Sequence, residues 1–122
     1  MKVLLIDTTR DVLLVALVTE KDAQTRTNDQ PRRHSESLNT ISKSFIPNAD
    51  AFAVVTGPGS WTGSRVGVVA VKAWALVTGK PIIATTNPTE DLFTIVREKF
   101  ASRDFTEVHE LSPFYDSEFK LT

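Results

Sequence analysis

Gly57-Pro58-Gly59-Ser60-Trp61-Thr62-Gly63-Ser64-Arg65-Val66-Gly67 is the stretch on which the reading of this chain turns. It follows a short apolar run, Ala51 to Val55, and opens a longer one that continues to Val77. Gly57 and Gly59 can take positive φ without steric cost, and Pro58 stiffens the bend between them. Ser60 or Thr62 suits the cap of a helix beginning there. Gly63 and Gly67, four residues apart, leave one helical face bare, so another helix or a backbone can come close. Taken alone, Val66-Gly67-Val68-Val69-Ala70-Val71 would pass for a strand, because β-branched residues favour pleated sheet. Length decides for a helix over about Thr62 to Val77. The run continues through Lys72-Ala73-Trp74-Ala75-Leu76-Val77, Gly79 suits its C-terminal cap, and Pro81 lies just beyond. A helix apolar on nearly all sides is expected to be buried on nearly all sides.

On the N-terminal side, Val3 to Ile6 is a continuous apolar run, as in a central strand covered on both faces. Asp7 to Asp11 is a polar turn, and Val12 to Val18 is a second strand that pairs with the first as a hairpin. Ala23 to Thr27, polar and Thr-rich, is read as a third strand at a sheet edge. A loop with Pro31 leads to a helix from about His34 to Phe45, with Ser35 as its cap and Pro47 as its stop. Leu38, Ile41 and Phe45 share one face of it. On the C-terminal side, Pro81 to Ala84 is a fifth strand. Asn87-Pro88-Thr89-Glu90 is a helix-start signal, and Phe93, Val96 and Phe100 then line one face of a third helix. Val108 to Leu111 is expected to be extended, and Pro113-Phe114-Tyr115 to be a docked tail. Three strands, then helix, strand, helix, strand, helix, give an α/β fold with a mixed five-stranded sheet. That order is the ribonuclease H-like topology of one lobe of the actin-like ATPases. The reading divides the chain into a lobe over 1–100 and a tail over 101–122 packed on it.

Composition narrows the function. A chain of 122 residues suits one domain with a modest core. A net charge of -1 leaves no basic field for unaided tRNA binding, and Arg32-Arg33 is the only basic pair. The absence of cysteine removes disulfides, zinc-thiolate sites and thiol nucleophiles. No apolar tract is long enough for a signal peptide or a bilayer span, so a cytoplasmic protein is expected.

The glycine stretch has two physical readings: an anion site at a helix N-terminus, or a tight turn with no ligand. Spacing removes the familiar phosphate loops. The second glycine of a P-loop would fall on Thr62 or Ser64, and Thr62 also takes the third glycine of a dinucleotide fingerprint. A nucleotide or phosphate set would comprise Asp7, Thr8, Thr9, Gly57 and Gly59. Asp7 could equally be a turn acid bonded to the amides of Thr9 or Arg10. A ribonuclease H-like nuclease would need more acids than Asp7 and Glu36, and Thr56-Gly57 stands where another belongs. His34 and His109 lie far apart in sequence, which argues for no metal site and no peptidase. Ser60 lacks a nucleophile elbow. Trp74 is read as core, and Trp61 as core or interface.

The glycine stretch resembles the GPGSFTGLRVG signature of the bacterial TsaB (YeaZ) family, with Trp61 for the usual Phe and Ser64 for the usual Leu. Val3 to Thr9, Val15-Ala16-Leu17, Arg33-His34-Ser35-Glu36 with Leu38, and Lys80 to Thr86 resemble family segments too, so the likeness runs over about 1–92. It implies the first lobe of an actin-like fold, with no catalytic machinery of its own. It further implies a partner role in tRNA threonylcarbamoyladenosine synthesis, bound to the metal-carrying transferase TsaD, with the ATPase TsaE joining the complex. ATP and magnesium then enter only at the level of the complex, and tRNA is met indirectly. The family's interface helices are the first and the one after the glycine stretch. They place Leu38, Ile41, Phe45, Val66, Val69 and Ala73 as partner-binding residues, on a face expected to form a homodimer when TsaD is absent. Family members continue into a second lobe, while Leu111 to Tyr115 resembles their C-terminal end.

Overall fold

The computed structural model describes residues 1–10, 12–28, 34–58, 61–86 and 91–112. β1 (Val3–Asp7) is the middle of a five-stranded sheet. It pairs antiparallel with β2 (Leu13–Val18), which pairs antiparallel with the edge strand β3 (Ala23–Asn28). On its other side β1 runs parallel to β4 (Ala51–Val55), and β4 runs parallel to β5 (Ile82–Thr85). The order β3-β2-β1-β4-β5 is mixed, as the element order predicts. The helices are α1 (His34–Ser42), α2 (Trp61–Thr78) and α3 (Leu92–Ala101). Two short 3-10 turns, Ile46–Asn48 and Val108–Glu110, complete the described elements.

The twofold alternation of strand side chains builds two cores. Leu4 and Ile6 join Leu13, Val15, Phe52 and Val54 on the face that α1 and α2 cover. Val3 and Leu5 join Ala16, Val18, Ala53, Val55 and Ile83 on the opposite face. There Val96 of α3 is fully buried, with Phe93 and Phe100 packed beside it, so the three residues read as one stripe do share a core. The Arg97 guanidinium donates to the carbonyls of Thr19 (2.7 Å) and Asp22 (3.1 Å), tying α3 to the β2–β3 turn. The Thr106 N–H donates to the Ile82 carbonyl at 2.8 Å, which covers part of the β5 edge.

Several boundaries differ from the sequence reading, each for a local reason. α1 ends at Ser42, and Phe45 follows in a turn whose N–H donates to the Ser42 carbonyl. Pro47 sits inside a 3-10 turn, where its fixed φ is tolerated. α3 starts at Leu92, because Asp91 caps it by accepting from the Phe93 N–H at 3.1 Å and the Thr94 hydroxyl at 2.7 Å. Asn87 and Pro88, read as the start, lie outside the described residues, as do Pro113-Phe114-Tyr115. Val108 to Glu110 is a 3-10 turn rather than extended, and it delivers Leu111 into the core beside α2.

The largest departure concerns α2. Val68, Val71 and Ala75 are buried against the sheet, with Val66, Ala70 and Trp74 packed at their flanks. The opposite side is bare among the described residues: Val69 is 59%, Leu76 72% and Val77 87% exposed. A helix apolar all round is therefore covered on one side only, because a single sheet face lies beneath it.

Gly67 is where α2 comes closest to β1. A Cβ placed there would lie 2.8 Å from Thr8 Oγ1, 3.3 Å from Val54 Cγ2 and 3.6 Å from Ile6 Cδ1. Gly67→Ala should therefore lower the unfolding free energy by about 1–3 kcal/mol, the usual cost of overpacking, as measured by urea denaturation. The Thr94 hydroxyl, more than any other neighbour, holds the exposed Asp91 carboxyl below its ordinary value. A lowered folded-state value means the cap is fully present above the ordinary carboxylate range and fades as pH falls through it. Asp91→Asn should flatten the acid limb of a Tm-against-pH curve measured by circular dichroism.

Candidate functional site

The carboxyl ends of β1, β4 and β5 meet at the glycine turn, and the residues gathered there are polar and buried. Asp7 is 5%, Thr8 1%, Thr56 7% and Thr85 8% exposed. Each of these side chains has an internal partner. Asp7 Oδ1 accepts from the Thr9 N–H at 2.9 Å and the Thr9 hydroxyl at 2.6 Å, and Arg10 Nε stands 3.8 Å from Oδ2. That is the turn acid of the sequence reading. Thr8 Oγ1 accepts from the Gly67 N–H at 3.0 Å. Thr56 Oγ1 donates to the Thr85 carbonyl, and Thr85 Oγ1 to the Thr86 carbonyl. Gly57 adopts φ 132°, the positive value for which glycine is suited. Gly59 and Ser60 lie outside the described residues.

Asp7, the strand-end acid of the nucleotide set, is held by its own turn with a guanidinium alongside. Thr8 Oγ1 is turned towards α2, where it accepts from the Gly67 N–H. No cluster of metal-binding side chains occurs among the described residues. Glu36, the second nuclease acid considered from sequence, has a side chain outside them. His109 is exposed and 3.8 Å from Glu110.

The expected partner-binding residues separate into two groups. Leu38 (1% exposed) and Phe45 (6%) belong to the core beneath α1, which corrects their placement on a partner-facing stripe. The reason is that α1 contributes few apolar residues, and the sheet consumes them. Arg26 of β3 lies over the Phe45 ring at 5.7 Å and helps seal it. Ile41 and Val66 are half-buried at the core's edge. Val69 and Ala73 do face outward. Leu76 and Val77, not singled out from sequence, extend that stripe by another turn. The signal for them was present: they stand seven and eight residues after Val69, on the same helical side. Trp74 packs its ring against Phe52, with centroids 5.6 Å apart, in agreement with its reading as core.

Comparison with known proteins joins this lobe to others. YeaZ from Pseudomonas aeruginosa superimposes with a TM-score of 0.64 at 24% identity, over 84% of this chain and 50% of that one. A second structure, titled as an uncharacterized protein with similarity to peptidase YeaZ from the same organism, gives a TM-score of 0.64 over 84% of this chain and 49% of its own. The chain has the YeaZ fold. In sequence, residues 29–87 match the family described as TsaD, tRNA N6-adenosine threonylcarbamoyltransferase. The Bartonella bacilliformis protein of that description is 42% identical over 60 residues, covering 43% of this chain and 16% of the transferase. This chain thus spans about half of the YeaZ structures and a small part of the transferase. The matched segment includes α1, β4, the glycine turn, α2 and β5. No described helix is long and apolar enough to cross a membrane.

If Asp7 is a turn device, Asp7→Ala should cost about 1–3 kcal/mol of stability through its lost hydrogen bonds, read by chemical denaturation. Magnesium with ATP should leave the Tm of the wild-type chain unchanged in a thermal-shift assay.

Proposed function

We propose that this chain carries the first lobe of the TsaB (YeaZ) family and serves in a non-catalytic partner subunit of a TsaD-type transferase. The reaction it supports is threonylcarbamoylation of adenosine in tRNA. The observation that carries the reading is the exposed apolar stripe Val69, Leu76 and Val77 on α2 of a lobe with the YeaZ fold. Exposed apolar stripes of this kind are commonly interaction surfaces. The sequence likeness to TsaD over 29–87 supports the same biochemical setting.

Binding occurs in a cytoplasmic complex that a TsaE-like ATPase joins. The small negative net charge of the chain leaves tRNA contact to the partner. Without the transferase, the same stripe pairs with a second copy. Chemistry at the glycine turn has less support, because its buried polar side chains are engaged internally.

Co-purification of the chain with the TsaD-type protein of the same genome tests the proposal directly. Leu76→Asp should weaken binding in titration calorimetry at least about tenfold, as central apolar contacts commonly do, while leaving the fold intact by circular dichroism. A wild-type chain that neither binds the transferase nor raises its activity would sink the reading.

A further inference from the structure

The rotation of α2 about its axis decides which of its apolar residues are shown. Val68 and Ala75 point into the core, while their immediate successors Val69 and Leu76 point outward. A turn of one residue, about 100°, would exchange these sets. The exchanged set would trade alanine for leucine, but it would also bring Lys72 to the place of Val71. Apolar area and a specific polar contact can therefore act together to set which side α2 presents.

Among the described residues, a buried polar contact between α2 and the end of β1 can contribute. The N–H of Gly67 donates to Oγ1 of Thr8 at 3.0 Å, across 59 residues of sequence. Thr8 is 1% exposed, so the bond is shielded from water. It forms only where a glycine faces β1, because a Cβ at this position would meet the same oxygen at 2.8 Å. Gly67 thus provides the notch and Thr8 the pin. A buried polar contact within an apolar interface selects one register in the same way that a single polar residue fixes a coiled coil.

We propose that Thr8 is a positioning residue: its hydroxyl pins the rotation of α2, and through it the outward presentation of Val69, Leu76 and Val77 to the partner. The presentation part rests on the partner-subunit reading above. The pin itself does not, and the two can be separated by experiment.

The test uses the full chain with Trp61→Phe, which leaves Trp74 on α2 as the sole tryptophan. Trp74 lies against Phe52, so its emission reports the rotation of the helix. In this background Thr8→Val removes the hydroxyl at nearly constant volume. The expected result is a folded protein by circular dichroism with red-shifted Trp74 emission. Its affinity for the TsaD-type transferase should fall by about tenfold or more, the scale of one buried hydrogen bond. Thr8→Ser, which keeps the hydroxyl, should restore both emission and affinity. Unchanged emission and affinity in Thr8→Val would overturn the proposal, as would failure of Thr8→Ser to restore them. Should Thr8→Val not fold, Thr8→Ser alone decides: wild-type emission supports the pin and a red shift refutes it. A wild-type chain that does not bind the transferase refutes the functional reading, while the emission of the two variants still judges the pin.

Discussion

The approach of Gly67 to Thr8 is the constraint from which the arrangement of this lobe follows. It brings the middle of α2 onto the end of the central strand, where a side chain of any size would hold the two apart. The glycine turn at the strand ends lies just before α2, and the buried threonines beside it bond to backbone groups. Their hydroxyls link β1 to α2 and β4 to β5.

The sheet itself is an economical solution to an apolar sequence. β1 is flanked by an antiparallel and a parallel neighbour, so every residue of it is covered. One face receives α1 and α2, and the other receives α3 with its phenylalanines. The supply of apolar residues is unequal, however. α1 has so few that its Leu38 must serve the core. α2 has more than one sheet face can hide, and the surplus is displayed as Val69, Leu76 and Val77. The partner reading grows from that imbalance, set within a lobe whose fold is YeaZ's and whose central sequence resembles a tRNA-modifying transferase.

Much of this was legible in the residues. Four of the strands and the three helices follow from apolar runs or stripes, their lengths, and glycine and proline near their ends, while β3 follows from a Thr-rich polar stretch. The close approach at Gly67 follows from a glycine inside an otherwise β-branched helix. Asp7 as a turn acid follows from its place between a strand and two threonines. What misled was local ambiguity. Asn87-Pro88 is as good a start signal as Asp91, and only the hydrogen bonds of Asp91 show which residue caps α3. A stripe at helical spacing, such as Leu38, Ile41 and Phe45, looks the same whether it meets a sheet or a partner.

The sequence by itself determined the elements, their order and the small-residue notch in α2, because these depend on contacts between near neighbours and on the conformational limits of single residues. Only the tertiary structure decided which apolar residues are inside. Val68 and Val69 are chemically identical, and so are Val71 and Val77. Their difference in exposure arises from the side of α2 that each occupies and from how many helix faces one sheet can cover.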